Sequence, residues 1–149
     1  MANDYEIFEL GSVQLQSGAT LRDCKLAYKT YGTLNSKKNN VIVYPTWYSG
    51  QHTENEWLIG EGMALDPKNY FIVIPNMLGN GLSSSPSNMP EPYNASRFPN
   101  VTAYDNVHVQ YRLITEKFGI ERVKLVTGWS MGGFGAMAFA AHDPSHWQS

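Results

Sequence analysis

Hydrophobic and polar residues alternate along two stretches near the start of the chain. Val13 and Leu15 alternate with two glutamines, and a second alternating run surrounds Leu26. Alternation with a period of two is typical of a strand that buries one face. The pattern therefore predicts two strands, over residues 5–15 and 23–32, which pair as an antiparallel hairpin at the edge of a larger sheet.

Later apolar runs are continuous rather than alternating. Residues 41–44 and 70–74 are such runs, and 123–127 is rich in β-branched residues. Continuous runs of this length are typical of parallel strands buried on both faces. Amphipathic spacing predicts helices over 54–64 and 102–118. Strands that alternate with helices predict an α/β fold, with a mostly parallel sheet and flanking helices.

A Gly-x-Ser-x-Gly pentad occupies residues 128–132, between the last of these strands and a helical segment predicted over 134–141. Strand, pentad and helix together indicate a nucleophile elbow, in which a tight turn exposes the serine hydroxyl. Ser130 is then the predicted nucleophile of an acyl transfer. The backbone N–H of Met131, at the helix N-terminus, is predicted to donate to the oxyanion. A strand–turn–helix with an inert serine is the alternative interpretation.

Composition narrows the class of protein. Hydrophobic residues make up 42% of the 149 residues and charged residues 16%, as in an ordinary globular domain. A net charge of −2 argues against nucleic acid or an anionic membrane as partner. The single cysteine, Cys24, excludes a disulfide framework within the chain. No signal peptide, membrane span, metal site or bound cofactor is predicted, and a cytoplasmic location is the simplest expectation.

Several dispersed motifs resemble one family. Residues 99–107, with Gln110 and Leu113 after them, are similar to a Thr-x-x-Asp-x-Val-x-x-Gln helix of the homoserine O-acetyltransferases, and 118–123 are similar to the approach to their elbow. Residues 64–73 and 76–81 are similar as well. The chain thus resembles the homoserine O-acetyltransferase family of the α/β-hydrolase fold over nearly all of its length. The resemblance implies a small-molecule acyl donor and acceptor, with acetyl-CoA as co-substrate if the enzyme is a transferase.

The resemblance also suggests which other residues form the site. In this fold the second oxyanion donor comes from the loop after the third strand, here residues 44–52, and the Trp47 N–H is the candidate. Tyr48, His52 and Trp129 are candidate substrate contacts. Plain aromatic packing explains Tyr48 and Trp129 equally simply, and a loop-surface histidine is the default interpretation of His52.

Two departures from the family leave the acceptor open between an amino-acid hydroxyl and water. The loop lacks the family's histidine, and the bulky Trp129 precedes the serine where the acetyltransferases commonly have a small residue.

The triad of this fold runs in the order Ser, Asp or Glu, His, and the sequence stops at Ser149 without the last two. Residues 1–149 are therefore expected to be the N-terminal portion of one α/β-hydrolase domain, truncated after the elbow helix and inactive alone. The strand over 123–127 is expected to keep an unpaired edge that favours a homodimer or other self-association. The alternative is a non-catalytic truncated isoform or gene-model fragment.

Overall fold

The computed structural model describes residues 2–133 of the chain. Five strands form one sheet within this part: β1 (Glu6–Gln14), β2 (Thr20–Tyr31), β3 (Val41–Val43), β4 (Phe71–Pro75) and β5 (Leu125–Val126). Their spatial order is β1-β2-β4-β3-β5. The first two pairs of this order are antiparallel, while β3 pairs in parallel with both β4 and β5. The predicted hairpin at the sheet edge is confirmed, and the continuous apolar runs form the parallel part.

Both faces of the sheet are covered. Successive side chains of a strand point to opposite faces, so β3 and β4 each contribute to two separate apolar clusters. One cluster includes Val41, Val43 and Val73 with residues of the long helix; the other includes Ile42 and Ile72. Burial on both faces explains why these strands carry no polar alternation.

The long helix packs where the sequence predicted it. Helix α1 spans Ala103–Arg112 and continues as a π-helical turn over Leu113–Lys117, and Gly119, with φ +61°, follows its end. Thr102 is its N-cap, and its side chain accepts a hydrogen bond from the Asp105 N–H. The predicted amphipathic character is confirmed, since one face of the helix is apolar and turned to the core: Val109, Leu113 and Ile114 are buried, and Phe118 is partly buried. This helix and its cap lie over the sheet face that carries the larger cluster.

The predicted helix over 54–64 is wrong in type and extent. A 3₁₀-helix spans His52–Leu58 instead, and Gly62 beyond it has a φ of +74°. Two side chains lie opposite to the amphipathic pattern, which places polar residues in solvent and apolar residues in the core. Asn55 is fully buried and donates to the backbone of the preceding loop, whereas Trp57 is exposed.

Of the two remaining predicted elements, the last strand is shorter than predicted and the helix after it lies outside the described residues. Strand β5 covers only two residues of the predicted 123–127, although the N–H groups of Lys124 and Thr127 still donate to the carbonyls of Val41 and Val43. The helix predicted over 134–141 lies outside the described residues. Within residues 2–133, no helix has the length and apolar character needed to cross a membrane.

Candidate active site

Ser130 lies at the turn that follows β5, and its backbone is left-handed. Its φ is +49°, a region that residues with a Cβ rarely adopt. The Gly132 N–H donates to the Trp129 carbonyl at 2.8 Å, and the Gly133 N–H donates to the Ser130 carbonyl at 3.0 Å, so the chain turns tightly here. Ser130 is exposed. A strained, exposed serine on such a turn is the geometry expected of a nucleophile elbow.

The two glycines of the pentad are required by close backbone approach. A Cβ on Gly128 would lie 2.5 Å from the Gly132 carbonyl carbon. A Cβ on Gly132 would lie 2.8 Å from the Pro45 oxygen and 3.2 Å from the Thr46 oxygen. The separations of 2.5 and 2.8 Å are shorter than real Cβ contacts, and the separation of 3.2 Å is tighter than most of them. The second contact also shows that the elbow packs directly against the loop after β3, which we call the oxyanion loop (residues 44–52).

Hydrogen bonds hold the start of the oxyanion loop to the sheet. The Thr46 N–H donates to the Pro75 carbonyl at 3.2 Å, and the Met77 N–H donates to the Thr46 hydroxyl at 3.0 Å. Asn55 Nδ2 donates to the Tyr44 and Pro45 carbonyls at 3.0 and 3.3 Å. These bonds fix the backbone immediately before Trp47. The predicted pair of donors, the Met131 and Trp47 amides, therefore belongs to two segments that touch each other.

Exposed aromatic side chains belong to the same two segments and to the 3₁₀-helix. Tyr48 is 77% exposed, Trp57 56% and Trp129 52%. The Trp57 and Trp129 rings pack with their centroids 5.6 Å apart. Burial raises the pKa of the Tyr44 hydroxyl, and the neighbouring Trp129 side chain offsets part of that rise. Sequence reasoning missed Trp57, because an indole on a predicted amphipathic helix carries no sign of facing the elbow.

The structure places His52 inside the protein. It is 1% exposed, its Nε2 lies 3.0 Å from Asp4 Oδ1, and its Nδ1 lies 3.1 Å from Asn76 Nδ2. The Tyr5 ring packs edge-on against the imidazole, with the centroids 5.6 Å apart. The hydrogen bond from His52 lowers the pKa of Asp4. A direct contact of this imidazole with a substrate, which stays a prediction, would require one of these bonds to break.

Other chemically notable groups lie away from the elbow. A cavity of about 580 Å³ opens between β1, β2 and the loop after β4, and among its lining residues are Glu9, Cys24 and Met89. None of its lining residues belongs to the elbow or the oxyanion loop. Burial raises the pKa of the Cys24 thiol to about 11, as expected of a cysteine packed in the core. Among residues 2–133, no three side chains of His, Cys, Asp or Glu gather as metal ligands.

Comparisons with known proteins agree with this geometry. The model of the alpha/beta hydrolase fold family matches residues 41–149. The chain is 48% identical over 130 residues to a probable esterase of Corynebacterium glutamicum, covering 86% of this chain and 37% of that protein. It is 41% identical over 123 residues to a homoserine O-acetyltransferase of Chlorobium chlorochromatii, covering 78% of this chain and 34% of that protein.

Among solved structures, the acetyl esterase MekB is similar, with a TM-score of 0.95 and 41% identity over 98% of this chain and 43% of that one. The chain thus spans less than half the length of each of these proteins. Esterases match it at higher identity than the acetyltransferases that its motifs resemble. With a sheet of the expected kind and an exposed serine on a tight turn after β5, the chain belongs to the alpha/beta hydrolase fold family and has both esterases and homoserine O-acetyltransferases among its relatives.

Proposed function

We propose that the full-length protein is a carboxylester hydrolase that forms an acyl-enzyme on Ser130. The observation that carries the proposal is the elbow itself. Ser130 is exposed at a φ of +49°, between two glycines that have no room for a side chain. Strain of this kind persists where the surrounding structure enforces it, and it clusters at catalytic positions.

The proposed reaction has two steps, the acylation of Ser130 and the hydrolysis of the acyl-enzyme. The Ser130 hydroxyl oxygen attacks the carbonyl carbon of the ester, and its proton passes through a general base to the departing alcohol. Water then attacks the acyl-serine, which releases the carboxylic acid and returns the proton to Ser130. In both steps the negative oxygen accepts hydrogen bonds from the Met131 and Trp47 amides. One such donor stabilises the transition state by about 3 kcal/mol.

The surroundings of Ser130 favour a small, apolar ester. The exposed rings of Trp57 and Trp129 pack on each other beside the turn that carries Ser130, and Tyr48 is exposed on the adjoining oxyanion loop. Two of the compared proteins are named as an esterase and an acetyl esterase. We therefore take acetate esters of simple alcohols as the first substrates to try.

Acetyl transfer to homoserine is a second candidate, because a homoserine O-acetyltransferase is 41% identical over the matched residues. The acyl-enzyme on Ser130 would be the same, acetyl-CoA would be the co-substrate that forms it, and the amino-acid hydroxyl would replace water in the second step. The two functions differ only in donor and acceptor. A single protein preparation can therefore be tested for both.

The test uses the full-length protein and its Ser130→Ala variant. A fluorophosphonate probe should add one label to the wild type, located on Ser130 by mass spectrometry, and none to the variant. Hydrolysis of an acetate ester should fall by at least about 10³-fold in the variant, as expected for loss of a nucleophile. Turnover or labelling that survives in a folded variant would refute the nucleophile assignment. Acetyl transfer from acetyl-CoA to homoserine that outpaces hydrolysis would establish the second function instead.

A further inference from the structure

Asn76, directly after β4, uses its whole amide group inside the protein. The side chain is fully buried. Its Oδ1 accepts from the His52 backbone N–H and from Asn80 Nδ2, both at 3.0 Å. Its Nδ2 donates to the Ala27 carbonyl at 3.2 Å and lies 3.1 Å from His52 Nδ1. An asparagine amide has two donor hydrogens and two acceptor lone pairs, so every one of them is satisfied here.

Two backbone groups fix the orientation of this amide. A backbone N–H can only donate and a carbonyl can only accept, so the atom facing His52 N is the oxygen and the atom facing Ala27 O is the nitrogen. The Asn76 nitrogen must then donate to His52 Nδ1. A neutral imidazole that accepts at Nδ1 carries its proton on Nε2, which faces the Asp4 carboxylate. Asn76 thereby sets both the position and the tautomer of His52.

His52 is the last residue of the oxyanion loop, and its surroundings tie the loop at that end. Nε2 is bonded to Asp4, and the Tyr5 ring packs on the imidazole, so the segment before β1 closes over the histidine. Asn80, bonded to Asn76, donates to the Gly50 carbonyl at 3.2 Å. The other end of the loop is fixed at Thr46 through Pro75 and Met77. Trp47 lies between the two fixed ends.

We propose that Asn76, acting through His52, is a positioning residue that fixes the oxyanion loop so that the Trp47 amide faces the oxyanion. The inference rests on the proposed function for its catalytic consequence, but not for its effect on the loop. Catalysis by an oxyanion donor requires the donor to be in place before charge develops. A loop tied at one end only would sample orientations in which the amide faces elsewhere.

The sharpest variant is Asn76→Asp, which keeps the size and shape of the side chain. A carboxylate cannot donate, so one oxygen would face the Ala27 carbonyl without a hydrogen between them. At His52, Nδ1 would lose the hydrogen that Asn76 donates. It could bond the new carboxylate only by carrying a proton itself, which changes the tautomer. The change therefore disturbs the hydrogen bonds that hold the loop without opening a cavity. Asn100→Asp makes the same chemical change at an exposed position and is the matched control.

In the full-length protein, Asn76→Asp should lower kcat for an acetate ester by about 10- to 100-fold, a part of what full loss of an oxyanion donor costs. KM should change by less than about 3-fold, because the donor acts mainly in the transition state. Labelling of Ser130 by the fluorophosphonate probe should slow in parallel. The imidazole ¹⁵N shifts of His52 should change from the Nε2–H tautomer, and amide hydrogen exchange should accelerate in peptides covering residues 44–52. Asn100→Asp should match the wild type in every readout.

A second pair of variants decides the matter if Asn76→Asp does not fold. His52→Asn places a polar δ atom where the imidazole Nδ1 lies, whereas His52→Leu places a methyl group there. Only the asparagine variant can still hydrogen-bond Asn76. Its kcat should therefore be at least about 5-fold above that of the leucine variant, and its amide hydrogen exchange over 44–52 should be slower.

Failure of the proposed function and failure of the positioning role give different results. A wild-type protein without Ser130-dependent turnover would refute the proposed function alone, since hydrogen exchange over 44–52 and the His52 ¹⁵N shifts still test the position of the loop. A folded Asn76→Asp protein with wild-type kcat and wild-type exchange over 44–52 would overturn the positioning role. Equal kcat and exchange in the two His52 variants would overturn it too.

Discussion

Ser130 has an unusual backbone conformation for a residue with a side chain, with a φ of +49°. A non-glycine residue in the left-handed region costs about 1 kcal/mol relative to the right-handed one. The turn compensates by its two short hydrogen bonds and by the glycines on either side. The side chain gains an exposed position at the turn, which is what the proposed role of Ser130 as a nucleophile requires.

Gly132 offers a direct test of how closely the elbow and the oxyanion loop must approach. In Gly132→Ala the new Cβ would meet the Pro45 carbonyl at 2.8 Å, so one of two backbones must shift. Forced overpacking of this kind costs about 1–3 kcal/mol. We expect a lower midpoint in chemical unfolding of the full-length protein and a loss of esterase activity larger than the loss of stability explains.

The matched control is Gly60→Ala, whose Cβ would meet only the flexible end of the Met63 side chain, at 2.7 Å. That end can move at little cost, so activity and stability should stay near wild type. Equal effects of the two substitutions would contradict the importance attached to the contact between elbow and loop.

At the scale of elements, one carboxylate joins the hairpin to helix α1. Asp105 Oδ1 accepts from the Gln16 N–H just after β1, at 2.8 Å, while Oδ2 accepts from the Thr102 N–H at 2.9 Å. The same residue therefore completes the helix cap and fixes the end of a strand 89 positions earlier. Only the bond within the helix cap is local in sequence, whereas the bond to Gln16 joins distant parts of the chain.

This double role predicts unequal costs for two alanine variants. Thr102→Ala removes the cap and an exposed hydrogen bond that the Thr102 hydroxyl donates to Gln16 Oε1, and should cost about 1 kcal/mol of unfolding free energy, because the exposed bond adds little. Asp105→Ala removes the cap partner and the tie to Gln16, and should cost about 3 kcal/mol, since bonds to a charged group are the stronger ones. Glu121→Ala, at an exposed position, is the control for loss of a carboxylate. Chemical unfolding of the full-length variants measures all three, and equal costs for Thr102 and Asp105 would show that the long-range tie contributes nothing.

Local signals explain what could be predicted at this scale. The hairpin, the parallel strands, helix α1 and the tight turn at Ser130 all follow from spacing within a few residues, because apolar period, capping and glycine placement are local. The 3₁₀-helix at His52–Leu58 could not be predicted, since its direction depends on Asn55 bonding the oxyanion loop. The His52 network was equally inaccessible. Its partners Asp4 and Asn76 lie 48 and 24 positions away, and no periodicity connects them.

At the scale of the whole molecule, the two edges of the sheet differ. Strand β1 carries the exposed Glu6 and Glu9 and a register shift at Gly11, and charge and irregularity both discourage a further strand from pairing. Strand β5, at the other edge, pairs only with β3 among the described residues, and Leu125 on it is 43% exposed. The apolar edge lies beside the elbow, so whatever covers it also borders the site.

The last prediction concerns the polypeptide of residues 1–149 produced alone. The triad order of this fold places the general base after the elbow helix, so Ser130 should lack a proton acceptor and the polypeptide should be inactive on an activated ester. The edge of β5 that has no partner strand among residues 2–133 should drive self-association, seen as a concentration-dependent mass in light scattering. Leu125→Lys places a charge on that edge and should shift the mass toward the monomer, because pairing would bury an unpaired ammonium. Met63→Lys adds the same charge at a similarly exposed loop position and should not. A monomeric polypeptide with Ser130-dependent turnover would contradict both halves of this prediction, and an oligomer that Met63→Lys disrupts as strongly as Leu125→Lys would remove β5 as its cause.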